Sequence, residues 1–298
     1  MKSRMTLLNW ILRYIHKTKG KQIRPILVLL SAKANGKVSE KSYTAAALLE
    51  ILHTATLVHD DIVDEAEKRR GFFTINALWK NKVAVLVGDY LLSRGMLLAL
   101  ENKYYTMLGI LSRAVKVMSE GELLQMEKSR NPTLTEMEYF EIIKGKTASL
   151  LAAACAAGTA SVTSDQTRIH RMEEFGMDLG IAFQIKDDLL DIEGQNTGKT
   201  RGSDLIDRKI TLPVIHALAH SSGWEKKQMQ RLIAKKKKSN SDLQTLFHWI
   251  KEKDGLEYAR SQMNTFKNKA VDALSSLDDS KCKTALLELC NYVTSRRK

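Results

Sequence analysis

Two stretches concentrate carboxylates where a helix is weakened by them. LVHDDIVDEAEKRRG spans residues 57–71 and FQIKDDLLD spans residues 183–191. Each sets two aspartates, an apolar pair and a third aspartate on an apolar background, and the copies stand 187 − 60 = 127 positions apart. On a helix Asp60 and Asp64 share a face, about 6 Å apart along the axis, with Asp61 ~100° round. Asp187, Asp188 and Asp191 repeat that spacing. Like charges one turn apart repel, so each trio destabilises its helix unless something cationic lies opposite. Hard divalent cations meet that need, because Mg2+ takes oxygen ligands and retains positions for water and phosphate. Two trios on opposite walls of a cavity would hold several Mg2+ ions and, through them, a diphosphate. Two solvated acidic patches paired with nearby Lys and Arg are the plainer alternative. Arg69 and Arg70, followed by Gly71, add planar donors suited to phosphate.

Helices must position these groups, and the chain carries their pattern. Apolar residues at three- and four-residue spacing run from Thr6 to about Ser129, most clearly in ALLEILHTATLVHDDIVDEA, KVAVLVGDYLLSRGMLLALE and ILSRAVKVMSEGELLQMEK. Asn131-Pro132-Thr133 predicts a break, with Thr133 or Thr135 capping the next helix and Glu136 or Glu138 in its first turn. The small residues of ASLLAAACAAGTAS suit close helix packing, and EEFGMDLGIAFQIKDDLLDI predicts another helix. A loop is expected from about Glu193 to Ile210, and helical patterns resume after Leu212-Pro213. With only three prolines and no alternating β runs, residues 1–298 read as one all-α domain.

The bulk numbers exclude several classes. Of 298 residues, 44% are hydrophobic and 27% charged, which is ordinary for a globular chain and argues against disorder. No run approaches ~18 consecutive apolar residues, so no spanning helix is predicted. Near the start, Arg13 and His16 interrupt the apolar stretch, which predicts an amphipathic helix in place of a signal peptide. Cys155, Cys282 and Cys290 form no CxxC pair, so a reducing cytoplasm is expected, with neither a disulfide framework nor a zinc site. Lys plus Arg exceed Asp plus Glu by 47 − 34 = 13, a surplus suited to anionic partners. No zinc finger or RNA-binding aromatic signature accompanies it, so nucleic acid is not expected. Lys235–Lys238 reads as a solvated loop or helix end, and Arg296-Arg297-Lys298 as a frayed basic tail in preference to a segment that approaches the cavity entrance.

The paired motifs resemble those of the all-trans polyprenyl diphosphate synthases, which carry two DDxxD motifs, the first followed by RRG and the second preceded by FQ. The resemblance runs from Gly20 to about Pro213, with its motifs in order. It implies an all-helical bundle around a central cavity, the isoprenoid synthase fold. It also implies a homodimer and condensation of isopentenyl diphosphate with an allylic prenyl diphosphate, using several Mg2+ ions held by Asp60, Asp61, Asp64, Asp187, Asp188 and Asp191. Lys21 and Arg24 resemble the basic isopentenyl diphosphate site, to which His53 and Arg70 would contribute. Lys146-Thr147, Gln184 and the lysines of GKTRGSDLIDRKITLP, Lys199 and Lys209, resemble groups beside the allylic substrate, where Arg69 would assist. Taken singly, His53, Thr147 and Gln184 are as readily ordinary helix residues, and the two lysines surface residues. KGKQIRP departs from the usual GGKRxRP at Lys19 and Gln22, and Phe72-Phe73 stand where a basic residue and proline often follow RRG.

Ala55 and Thr56 occupy positions where bulky residues block product growth in such enzymes, so a long product, hexaprenyl to decaprenyl, is expected. Tight helix packing would equally explain their size. The basic surface would help deliver an amphipathic product to an acidic membrane, a peripheral contact at most. Short-chain synthases and the catalytic subunit of a heteromeric synthase are the alternatives within the resemblance. GQNTGKT at 194–200 is one residue short of a P-loop and follows a helical segment, which argues against a nucleotide hydrolase.

Overall fold

The computed structural model describes residues 4–17, 22–69, 71–128, 134–194 and 201–296. Helices dominate it, as the periodicity predicts. In chain order they are α1 (Thr6–Lys17), α2 (Ile23–Asn35), α3 (Glu40–Val63), α4 (Ile75–Glu101), α5 (Tyr105–Lys128), α6 (Glu136–Ile143), α7 (Ser149–Ala160), α8 (Gln166–Glu193), α9 (Ser203–Ile206), α10 (Leu212–Ala219), α11 (Gly223–Ala234), α12 (Asn240–Glu252), α13 (Gly255–Ala273) and α14 (Lys281–Ser295). A π-helical turn, Lys144–Ala148, joins α6 to α7. Between α3 and α4 lies a two-residue antiparallel pairing of β1 (Lys68–Arg69) with β2 (Phe72–Phe73).

Small residues set the packing around the site. Every residue of α7 is buried, as its Ala-rich sequence suggests. A Cβ on Gly158 would lie 2.2 Å from the Val28 carbonyl oxygen, one on Gly176 2.5 Å from that of Leu151, and one on Gly180 2.5 Å from Ala148 Cα. These glycines therefore let α2 close onto α7, and α8 onto α7 and the π turn, at distances that a side chain forbids. Gly121 and Gly145 meet in the same way, a Cβ on Gly121 coming 2.9 Å from Gly145 Cα. That contact seats α5 against the π turn.

Helix termini around the site follow capping rules. Asp165 caps α8 by accepting from Thr167 and Arg168 N–H, and Gly194 ends it at φ +73°. Thr135 caps α6 in a capping box with Glu138, one of the two predicted caps; Asn131–Thr133 lie outside the described residues. Within the segment expected as loop, α9 forms a short turn. Among the described residues, α4 is long and apolar enough to cross a membrane by length and composition, although no such run stood out in the sequence. It packs along α3 and leaves a stripe exposed that includes Leu78, Leu86, Leu97 and Leu100.

Candidate active site

Both aspartate trios lie at the C-terminal ends of long helices, α3 and α8. The negative end of each helix dipole therefore adds to the mutual repulsion of three carboxylates. Asp60 and Asp61 belong to the last turn of α3, and Asp64 is its C-cap, its N–H bonded to the Asp60 carbonyl at 2.8 Å. The Asp60 carboxyl is pushed up to about 6, chiefly by burial and then by the Glu122 charge, with Lys146 and Arg69 opposing and Asp64 adding. Such a cluster is all-oxygen and anionic, with Asp61 buried, Asp60 half-buried and Asp64 exposed, so its chemistry fits a hard divalent cation. No three His, Cys, Asp or Glu side chains among the described residues converge as a ready-made cation cage.

Neighbouring groups already engage the other aspartates. Arg69 Nε donates to Asp61 Oδ1 at 2.7 Å. Asp187 accepts from the Arg296 guanidinium, which also donates to the Phe183 carbonyl at 3.2 Å and stacks over the Phe183 ring, 4.0 Å from its centre. Arg296 is therefore a half-buried constituent of the site, which favours the approach to the cavity over the frayed tail; Arg297 and Lys298 lie outside the described residues. Asp191 accepts from Ser203 Oγ at 2.6 Å and from Asp204 N–H at 3.1 Å, folding α9 back onto the end of α8. Asp188 is 3% exposed and accepts from Tyr139 Oη at 2.6 Å and Gln184 Nε2 at 3.1 Å. Burial, with the charges of Asp204 and Asp187, pushes its carboxyl up to about 8 against those two hydrogen bonds.

A cavity of about 1650 Å³ adjoins these groups, larger than the roughly 300–1000 Å³ usual for ligand pockets. It brings together Arg24, His53, Asp61, Arg69, Thr147 and Arg296 in walls that are otherwise mainly apolar. Lys146 stands at its edge, paired with Glu122 at 2.9 Å. Thr147 donates to Gln184 Oε1 at 3.0 Å and not to its own helix. Lys209 lies beside Asp204 and Asp207, at 3.7 and 4.0 Å. Ala55 is fully buried in a cluster with Ile11, Ala84, Val87 and Leu91, and Thr56 Oγ1 donates to the His53 carbonyl at 2.8 Å. Neither lines this cavity; from α3, Ala47, Ile51, Thr54, Leu57 and Val58 do. Lys21, Arg70 and Lys199 lie outside the described residues.

Glu122 and Tyr139 are site residues that sequence reasoning missed. Gly121 and Gly145 were their one legible signal, since a close helix contact there carries Glu122 to Lys146.

Comparison with known proteins decides the family. A model described as Polyprenyl synthetase matches residues 5–250. The chain belongs to the polyprenyl synthetase family. It is therefore a prenyltransferase on the isoprenoid synthase fold. It is 36% identical over 300 residues to the octaprenyl diphosphate synthase of Escherichia coli (strain K12), covering 99% of this chain and 92% of that one. It is 34% identical over 290 residues to the geranylgeranyl diphosphate synthase of Saccharolobus solfataricus, covering 94% and 87%. A polyprenyl synthase from Caulobacter crescentus CB15, crystallised with calcium and isoprenyl diphosphate, superposes with a TM-score of 0.89 at 33% identity, covering 100% and 92%.

Proposed function

We propose that this prenyltransferase condenses isopentenyl diphosphate with an allylic prenyl diphosphate and repeats the step to give a long all-trans chain. The observation that carries this reading is the pair of aspartate trios at two helix C-termini beside one large, mainly apolar cavity. The carboxylates of Asp60, Asp61 and Asp64, with Asp187 and Asp191 from the other motif, are the groups that would hold Mg2+. When bound, Mg2+ neutralises charge developing on the departing diphosphate. Arg69 and Lys146 supply fixed positive charge to the same leaving group, with Lys199 and Lys209 as further donors. The allylic C–O bond breaks with its electron pair going to diphosphate. Thr147 and Gln184 offer oxygen dipoles to the cation so formed. Lys21, Arg24, His53 and Arg70 hold isopentenyl diphosphate so that its double bond faces the cation. A C–C bond then forms and a proton leaves, for which the released diphosphate is the base.

The chain acts as one polyprenyl synthase domain across residues 1–298, in the cytoplasm, and as a homodimer. For the dimer the support is the exposed apolar stripe of α4, where Leu86 is 67% exposed, continued on α5 by Leu123 and Met126. A second copy of that stripe is the occupant that the symmetry of homodimers favours. Product length is set along the cavity-lining face of α3, with Ala55 and Thr56 behind that face and Ala55 acting through Leu91, which packs in its cluster and lines the cavity. The cavity volume and the octaprenyl relative support a long product, and the geranylgeranyl relative is the reason to measure it.

The test is direct. Purified protein given farnesyl diphosphate, labelled isopentenyl diphosphate and Mg2+ incorporates label into longer chains, and EDTA abolishes this. Folded protein that incorporates no label from any allylic primer, alone or with added partner subunits, overturns the proposal.

A further inference from the structure

A chain of buried hydrogen bonds crosses the site. Tyr139, on α6 and 4% exposed, donates from Oη to Asp188 Oδ2 at 2.6 Å. Gln184 Nε2, one turn before Asp188 on α8, donates to Asp188 Oδ1 at 3.1 Å. Thr147 Oγ1, on the π turn, donates to Gln184 Oε1 at 3.0 Å. Three elements are thus tied by three bonds, and only the last member, Thr147, lines the cavity.

The direction of each bond follows from the inventory of donors. An amide NH2 only donates, and Gln184 turns it toward Asp188 Oδ1, which leaves its carbonyl oxygen toward Thr147. A hydroxyl has one proton and two lone pairs. Thr147 gives that proton to Gln184, and its remaining capacity is acceptor only. Whatever meets Thr147 from the cavity meets electron density, which suits a carbocation and cannot protonate an alkene. Tyr139 closes the far end. Without its O–H, Asp188 Oδ2 loses its partner in a dry interior, and the carboxylate is free to rotate or to let Gln184 flip.

We propose that Tyr139 is a positioning residue which, through Asp188 and Gln184, fixes Thr147 with its lone pairs toward the allylic carbon, and that Asp188 serves this relay and not the metal. The inference rests on the prenyl-transfer reading above. Tyr139 and Asp188 act on the barrier to cation formation, because the dipole they orient matters only once positive charge has developed.

The experiment is a double-mutant cycle. Tyr139→Phe removes one oxygen and keeps the ring that packs edge-on against Phe140. It is expected to lower kcat about tenfold with KM for isopentenyl diphosphate unchanged, as for the loss of an interaction made only in the transition state. Thr147→Val lowers kcat further, and the double variant is no slower than Thr147→Val alone, because both changes act through one oxygen. Mn2+ binding in the presence of inorganic pyrophosphate, measured by calorimetry without turnover, stays within about twofold of wild type in Tyr139→Phe. Gln184→Met cuts the same relay without touching the Tyr139–Asp188 pair and gives the same pattern, which keeps the test open should Tyr139→Phe fail to fold. Multiplying effects in the double variant, an unchanged kcat in folded Tyr139→Phe, or weakened Mn2+–pyrophosphate binding overturns the inference. Wild-type protein inert toward both substrates would remove the underlying reading as well; active wild type with unaffected variants removes this inference alone.

Discussion

Arg296→Ala separates two cations that compete for one carboxylate. In the metal-free protein the Arg296 guanidinium neutralises Asp187, its side chain 11% exposed against 42% for the aspartate. Because Asp187 is this open to water, the pair itself contributes about 1 kcal/mol at most. Stacking over Phe183 and the bond to the Phe183 carbonyl add a similar amount each, so the substitution removes about 2–3 kcal/mol of stability. For a chain of this size that lowers the melting temperature by several degrees. Cation binding moves the other way. Wild-type protein must displace Arg296 from Asp187, and removing that competitor worth about 1 kcal/mol tightens divalent binding about fivefold. Calorimetric titration of Mg2+ into metal-free protein, beside a thermal melt, reads both quantities. A variant that melts lower but binds Mg2+ as wild type does would refute the competition, and so would weaker binding.

Other expectations follow from the same geometry. Asp60→Asn should reduce Mg2+-dependent prenyl transfer by at least about 10²-fold with little change in melting temperature, since it removes a repelled carboxylate; near-normal turnover would exclude it as a ligand. In the metal-free protein Asp188 and Asp60 bind protons more tightly than their ordinary value of 3.8, at about 8 and about 6, so folding binds protons and stability falls as pH rises between 3.8 and about 8. Carboxyls held low, such as Glu138 at about 2, oppose this only up to their ordinary value of 4.5, and His216, lowered by burial from 6.5, opposes it up to that value against the larger shift of Asp188. Urea unfolding in EDTA at several pH values should show that decline, and Asp188→Asn should flatten it; stability rising across the window would contradict it. Ala55→Phe should overpack the cluster with Ala84 and Leu91, costing about 1–3 kcal/mol, and shorten the dominant product, as mass spectrometry of the dephosphorylated chains would show; unchanged length would leave Ala55 a packing residue only. Gly180→Ala should lower both melting temperature and kcat, because its Cβ would meet Ala148 beside Thr147; a normal melt would mean that α8 yields there.

The helices that carry the motifs were legible because their apolar spacing is local. Short stretches reveal the helical spacing of apolar residues in α3 and α8, and the small residues of α7 announce a close contact before its partner is known. The hairpin at Lys68–Phe73 escaped notice because two-residue strands leave no alternation to read, and α9 because four residues make barely one turn. Within the site, the aspartates, Arg24, His53 and Thr147 are found by pattern, whereas their partners are not. Glu122 meets Lys146, Tyr139 meets Asp188, and Arg296 meets Asp187 across separations of 24, 49 and 109 residues. Such pairings are decided by how the helices pack, so no spacing rule encodes them. Ala55 shows the converse. Its size drew attention, but which neighbour its Cβ faces depended on the rotation of α3.

The central claim is that carboxylates of both aspartate motifs hold diphosphate through divalent cations. Calorimetric titration of inorganic pyrophosphate into the protein, with and without Mg2+, tests it without requiring turnover. The account predicts strong binding only when Mg2+ is present, greatly weakened in Asp60→Asn and in Asp187→Asn. Pyrophosphate binding that is equally tight in EDTA, or equally tight in both variants, would contradict it.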